Sequence, residues 1–351
     1  MARRLMLMWV LGAALVAQLP ARFAVAQVGG QAPAGASSSG GGAASIFAGS
    51  MISTRGLLGA NSIDKSADPT WNPNVGMALL LAPRVALGDR FSLSALLTVS
   101  REFTHEDWTT QSGETTLSDT FVTLGASIWS SKELGLSLSG AAQLRLPTSK
   151  PSQQNTMILA GLAGVGLSWS GQFTPMGWSQ SVNVALIGRT GPFVHRYTTG
   201  STDTPWVDGC AELVGGCSQF SHDGVRNPAW RHQGIAALTW GPHPRLSLSL
   251  QGGVFYDLLT PQPKVTSRAG FEVGSSKLDP DARAIVFTAA YLNFVVTPAV
   301  SIAAGVETAH EQLAPDSTYR QPFLNRFSTY LIAFRLFPDA LVAGLRSPSK
   351  G

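Results

Sequence analysis

RFSLSALLTVSR, residues Arg90–Arg101, decides the fold. Phe91, Leu93, Ala95, Leu97 and Val99 take every second position, and Ser92, Ser94, Thr98 and Ser100 take most of the alternate ones. A strand sends successive side chains to opposite faces, so this segment is a strand with one apolar and one polar face.

The same alternation recurs from residue 45 to residue 337. About twelve strands are predicted, at 45–55, 74–86, 90–102, 117–129, 134–146, 156–169, 179–190, 230–240, 245–257, 283–296, 299–310 and 326–337. The connections alternate between short and long. Leu87–Asp89, Ser130–Glu133, Ser170–Trp178, Gly241–Pro244 and Thr297-Pro298 are short and rich in Gly, Pro and Ser, as tight turns require. The others (56–73, 103–116, 147–155, 191–229, 258–282 and 311–325) form the long set, rich in polar residues, Pro and Gly, with 147–155 no longer than Ser170–Trp178. This rhythm predicts an all-β, transmembrane, antiparallel up-and-down barrel.

Bulk composition agrees. Hydrophobic residues make up 44% of the 351, charged residues only 13%, and glycine reaches 37. Mean hydropathy is +0.12, too low for a bundle of membrane helices, while charge is too scarce for an ordinary soluble domain. A barrel reconciles the two, because half of each strand faces lipid and half faces water. The longest later apolar run, Met157–Leu167, is broken by Gly161, Gly164 and Gly166 and is about half the ~20 residues a spanning helix needs.

The first 26 residues read as a signal peptide: Arg3 and Arg4, an apolar centre at Leu5–Val16, and a small-x-small site at Ala24-Val25-Ala26, with cleavage expected before Gln27. Residues 27–44, rich in Gly, Ala and Ser, read as a flexible periplasmic lead-in. The leader holds three of the 25 basic residues, Arg3, Arg4 and Arg22, and none of the 21 acidic ones, which leaves 22 against 21. That balance gives no electrostatic footprint for nucleic acid. Cys210 and Cys217, both in the longest loop, are expected to form a disulfide in an oxidising compartment.

Aromatic residues cluster at strand ends. Trp129, Trp169 and Trp240 precede short turns, Phe91 follows one, and Phe103, Trp230 and Tyr256 flank long loops, the arrangement of two interfacial girdles. Trp129 has the wrong parity for the apolar face of Val122, Leu124, Ala126 and Ile128, which implies a bulge or an inward ring.

With the apolar faces outward, the fifth strand turns Ser137, Ser139, Ala141, Gln143 and Arg145 inward, the seventh Ser181, Asn183, Ala185 and Arg189, and the ninth Ser247, Ser249, Gln251 and Gly253. Arg231, Glu307 and Arg335 join them. An arginine facing lipid at mid-membrane costs about 2–4 kcal/mol, which favours inward placement. The pore-lining candidates are therefore Gln143, Arg145, Asn183, Arg189, Arg231, Gln251, Glu307 and Arg335, with Arg145, Arg189 and Arg231 near the outer mouth, Glu307 near the outer end and Arg335 near the inner one. The small lumenal residues imply a water-filled path, because about eight strands already suffice to fill a barrel with its own side chains and this one has more. The arginines imply either pairing with Glu102, Asp257 and Glu307 or a weak preference for anions. The loop 191–229 implies surface recognition or a lid.

Catalytic patterns fail. His105-Glu106 and His310-Glu311 lack the second histidine of a zinc-protease helix. Ser62-Ile63-Asp64-Lys65 is a chance-frequent Ser-x-x-Lys in a loop, and no histidine begins a His-x-Ser pair. No enzyme, metal or cofactor is expected.

The last strand, with Tyr330, Ile332, Phe334 and Leu336 alternating before Phe337, resembles the C-terminal assembly signal of bacterial outer-membrane proteins, although residues 338–351 follow as a periplasmic tail expected to be disordered. Across 45–337 the chain resembles outer-membrane barrels of the porin-like transporter class. The resemblance implies passive passage of small hydrophilic solutes, with outer-membrane lipid and the assembly machinery as partners. A structural or surface-recognition barrel is the alternative, and a lipid-modifying enzyme a more distant one.

Overall fold

The computed structural model describes residues 47, 49–63, 74–104, 113–174, 179–200, 226–261, 265–266, 272–273, 281–312, 319–325 and 327–346. The leader, the 27–44 segment and the Cys210/Cys217 pair lie outside the described residues.

Twelve strands close on themselves: β1 (Met51–Gly59), β2 (Val75–Ala82, resuming at Arg84–Leu87), β3 (Phe91–Glu102), β4 (Thr120–Ser131), β5 (Leu136–Leu146), β6 (Met157–Phe173), β7 (Gln180–His195), β8 (Pro228–His243), β9 (Leu246–Leu259), β10 (Ala282–Thr297), β11 (Val300–Glu311) and β12 (Ser328–Leu336). Each strand pairs antiparallel with the next, and β12 returns to β1, with Ile52 opposite Leu336 and Gly59 opposite Thr329. Closure leaves no open edge of unpaired backbone, the condition for a sheet to stand in hydrocarbon.

Local chemistry sets the irregularities. Pro83 has no N–H, so β2 breaks for one residue, but its carbonyl still accepts from Ala95 N at 3.0 Å. The β4–β5 turn needs Gly135, which has φ +64°, and a Cβ there would stand 2.2 Å from the Ser170 carbonyl oxygen. In β4 the register steps from Ser127 opposite Ser139 to Trp129 opposite Leu138. Ile128 is the extra residue of a bulge, and the bulge returns Trp129 to the outer face.

Along β1, β8, β10 and β12 exposed or half-exposed residues alternate with buried ones over most of the strand, while β3 to β6 carry few buried residues. The exposed set is the apolar one: Leu93, Leu124, Leu144, Val165, Leu186, Leu292 and Ile302, with Ile332 67% exposed. In water such a belt would be a large aggregation surface; against acyl chains it is the expected outside of the wall. Phe91, Trp129, Trp169, Trp240, Phe294 and Phe334 mark its short-turn edge, and Phe103, Trp230 and Tyr256 its long-loop edge. β6 has 17 residues and β7, β8 and β10 have 16 each, against 9 in β1 and β12. Spanning takes about 9–11 residues, so one side of the barrel stands well proud of the bilayer.

The C-terminal tail differs from expectation. Pro338–Arg346 forms α2, following the shorter α1 (Lys150–Gln154) in chain order. Asp339 Oδ2 accepts from Gly49 N at 3.2 Å, and Phe337 turns inward against Met51 and Leu80. This apolar anchor and the Asp339 contact tie the end of the chain to its first strand.

Candidate functional site: the barrel interior

The inner face holds all eight residues singled out from sequence: Gln143 and Arg145 on β5, Asn183 and Arg189 on β7, Arg231 on β8, Gln251 on β9, Glu307 on β11 and Arg335 on β12. They fall into separate groups at different heights, because register rather than sequence decides which meet.

At the outer end, guanidinium and aromatic groups alternate across the wall. Arg145 lies 5.7 Å from the ring centroids of both Phe121 and Phe193. Arg231 lies 4.9 Å from Phe193 and 5.2 Å from Phe255, which stacks on Phe287 at 4.9 Å. The run Phe121, Arg145, Phe193, Arg231, Phe255, Phe287 thus crosses from β4 to β10 through cation–π and stacking contacts. Asp257, fully buried, neutralises part of it: it accepts from Arg231 Nε at 2.6 Å and Nη2 at 2.9 Å, and from Arg283 Nε at 3.1 Å.

Asp119 anchors the other end of this layer. It receives Arg145 Nε at 2.5 Å, Ser149 Oγ at 2.8 Å and Ser152 Oγ at 2.5 Å. Ser149 caps α1, and Ser152 and Gln154 are buried. The Asn155 carbonyl contacts His195 Nδ1 at 2.7 Å and accepts from Asn227 Nδ2 at 2.8 Å. The loop joining β5 to β6 is therefore folded inward across the outer mouth, from the Asp119 corner to the ends of β7 and β8. Among the described residues the inward loop is this one; the bulk of 191–229, for which a lid was considered, is not described.

Lower down, Glu307 pairs with Arg55 at 3.3 Å and accepts from Tyr291 Oη at 2.5 Å. Gln251 Nε2 reaches Tyr291 Oη at 3.4 Å, and Arg335 Nη1 donates to Asn293 Oδ1 at 2.7 Å. Glu307 is thus a mid-barrel residue tied to the middle of β1, not the outer-end residue its sequence position suggested. An apolar cluster of Ile235, Phe255, Ile285, Phe287, Leu331, Ala303 and Ala333, with Leu57 and Ile187 against it, runs from the outer layer's Phe255 and Phe287 down to the level of Asn293 and Arg55, which register with Ala303 and Ala333. Glycines make room for it: a Cβ on Gly253 would meet the Phe287 ring at 2.6 Å, and one on Gly305 would meet Tyr291 Cδ1 at 2.5 Å.

The interior therefore has two unlike walls. On β8 to β12 and β1 a bulky, buried group (Ile235, Phe255, Ile285, Phe287, Tyr291 and Leu331) fills much of the inner face, with small residues such as Ser247, Ser249 and Ser301 toward the short-turn end. On β3 to β7 they are mainly Ser, Thr, Gly, Ala and Asn, and Ser127, Ser139, Ser170 and Ser181 remain exposed although they point inward. Arg189 stands on this second wall, and its stem crosses Gly164, where a Cβ would lie 2.7 Å from Arg189 Cγ. Its Nε and Nη1 are buried with no hydrogen-bond partner among the described residues.

Sequence reasoning missed Arg55, Asp119, Phe121, Phe193, Arg283 and Tyr291. Arg55 and Arg283 carried a signal, since each is a charge inside an apolar strand.

A closed antiparallel barrel with an apolar outside, two aromatic edges and charged side chains turned inward is a transmembrane β-barrel. No protein-family model and no curated protein matches the chain. Solved structures of outer-membrane proteins align with it at low identity. The NanC porin aligns over 82% of this chain and 98% of its own, with TM-score 0.44 and 11% identity. An outer-membrane channel from Pseudomonas putida F1 aligns over 82% and 94%, with TM-score 0.46 and 12% identity. The β domain of the Bordetella autotransporter BrkA aligns over 82% and 98%, with TM-score 0.33 and 10% identity.

Proposed function

We propose that the protein is a porin-like channel of the bacterial outer membrane through which small hydrophilic solutes pass passively along the β3–β7 wall. The observation that carries this reading is the set of small inward residues that stay exposed there, Ser127, Ser139, Ser170 and Ser181, while the opposite wall is filled. Side chains of this size leave room for water, and their hydroxyls can exchange hydrogen bonds with a passing solute. The outer layer sets the selectivity. Arg145, Arg231 and Arg283 share two carboxylates, Asp119 and Asp257, and Arg189 beneath them keeps Nε and Nη1 without a hydrogen-bond partner among the described residues. Charged rings at a constriction bias permeation, which here favours anions over cations. The residues proposed to line the path are Gln143, Arg145, Asn183 and Arg189, with Arg231 at its edge; Gln251, Glu307 and Arg335 belong to the filled wall.

Purified protein in planar bilayers is expected to give stepwise conductance with a reversal potential on the anion side under a salt gradient. A bilayer that stays sealed at every voltage would overturn the reading. It would favour the second one, a structural or surface-recognition barrel, which draws support from the inward loop at Asp119 and the packed apolar cluster. Export through the 1–26 leader, cleavage near Ala26 and bridging of Cys210 to Cys217 belong to the same proposal. Mass spectrometry of the mature protein tests all three.

A further inference from the structure

Thr288, Thr308 and Ser328 break the apolar belt. Each occupies an outward position, in line with Leu292 and Phe294 on β10, Ile302 and Val306 on β11, and Ile332 and Phe334 on β12. Bare hydroxyls facing acyl chains would be unfavourable, yet Thr308 and Ser328 are each only 1% exposed. The segment before β12 covers them. Thr288 Oγ1 donates to the Pro322 carbonyl at 2.6 Å and Thr308 Oγ1 to the Phe323 carbonyl at 2.8 Å. Asn325 N donates to Ser328 Oγ at 2.9 Å, and Asn325 also caps the bend, accepting from Phe327 N at 2.8 Å and donating to the Gln321 carbonyl at 2.7 Å. His310, also outward, stacks on Phe327 with centroids 6.2 Å apart. Residues 321–325 and Phe327 therefore fold over the outside of the wall, on three side-chain hydroxyls that serve as docking points.

The segment turns three large apolar side chains away from the wall, Tyr319 at 75% exposed, Phe323 at 67% and Leu324 at 53%, with the polar Gln321 exposed beside them and the Arg320 guanidinium 4.8 Å from the Phe327 ring centroid. Its height follows from β10. Thr288 lies six residues above the girdle residue Phe294, about 20 Å along the strand and about 15 Å in height at the usual tilt. The apolar band is about 25 Å tall, which leaves about 10 Å to its upper edge. That is the depth, about 5–10 Å, to which amphipathic segments sink at the headgroup–acyl boundary. The tip is also continuous with the lipid-facing belt, since Ala290 and Val306 stand directly below it and Val286 above Thr288 on β10.

We infer that residues 319–325 form an apolar foot seated in the outer leaflet, with Tyr319, Phe323 and Leu324 against acyl chains and the loop carbonyls satisfied by Thr288 and Thr308. The foot fixes the barrel's height and rotation in the bilayer at the low rim beside the short strand β12. It is independent of conduction and holds for a closed barrel as well.

The test is collision accessibility of a nitroxide at Phe323→Cys or Leu324→Cys. It uses the full chain carrying Cys210→Ser and Cys217→Ser, in vesicles of phosphatidylethanolamine and phosphatidylglycerol. References are the same label at Leu292→Cys, on the belt, and at Tyr197→Cys, on a long connection. Frequent collision with oxygen and rare collision with a water-soluble nickel chelate, as at position 292, is the expected result. Nickel collisions as frequent as at position 197 would overturn the inference. Protection from both reagents would overturn it as well, because a second copy of the chain would then cover the tip. Thr288→Val with Thr308→Val removes the docking points. It is expected to raise nickel accessibility at position 323 while the barrel keeps its heat-modifiable migration on gels; unchanged accessibility would count against the hydroxyl docking.

Discussion

The inward faces of β3–β7 and of β8–β12 with β1 follow the same two-residue alternation but carry opposite chemistry. One presents Ser127, Ser139, Ser168 and Asn183, whose hydroxyls and amide bond one another or stay open, as in Ser137 to Ser168 at 2.7 Å and Asn183 to Ser170 at 2.7 Å. The other presents Phe255, Phe287, Tyr291 and Leu331, packed over glycines and alongside two paired charge layers. Barrel diameter fixes the volume to be filled, and here the two sides divide it unequally. One wall supplies the packing that a soluble protein would find in its core, and the other leaves space. If the proposed path along β3–β7 holds, stability and permeability fall to different strands, and substitutions on the two sides should separate them.

The largest effect is expected from Asp257→Ala. It strands Arg231 and Arg283 in a buried layer, and breaking a buried pair by removing one partner costs about 3–5 kcal/mol. The urea midpoint of unfolding, read by heat-modifiability on gels, should fall accordingly. Phe287→Ala comes next. It removes a ring that is 1% exposed and stacked on Phe255, with a loss near the low end of the ~3–5 kcal/mol for such truncations because the lumen can supply water to the gap. The same change should raise conductance by opening the filled side; a less stable barrel with unchanged current would blur the division between walls.

On the open wall the order reverses. Ser139→Trp should leave stability within about 1 kcal/mol, as expected for an exposed position, but cut single-channel conductance sharply. Arg189→Gln is the mildest. Removing a guanidinium with two nitrogens unpartnered among the described residues should shift stability by no more than about 0.5 kcal/mol in either direction, while the reversal potential moves toward zero. A variant that kept its anion preference would move the selectivity to Arg145 and Arg231.

Much of this was legible in the sequence. All twelve strands emerge from alternation and turn chemistry, because lipid on one side and the interior on the other impose period two wherever the faces differ. The failures have physical causes. β10, ARAIVFTAAYLNFVVT, is apolar on both faces, so alternation could not reveal that Ile285, Phe287 and Tyr291 point inward and fill the lumen. Trp129 was ambiguous because counting by twos assumes one residue per pairing, and the extra Ile128 violates that assumption. The inward charges were found by parity, but their partners were not. Arg55 meets Glu307 across 252 residues of sequence, through the closure of β1 on β12. Asp119 falls in the predicted strand 117–129 with inward parity, but parity does not tell that it meets Arg145 and holds the β5–β6 loop.

Cysteine accessibility in the conducting protein puts the two-wall division to its most direct test. In a chain carrying Cys210→Ser and Cys217→Ser, single cysteines replace Ser139 or Ala289, and a charged, water-soluble methanethiosulfonate reagent is added while current is recorded. Rapid reaction at position 139 with loss of current, and none at position 289, is the expected outcome. Equal reaction at both positions, or reaction at 289 alone, would contradict it.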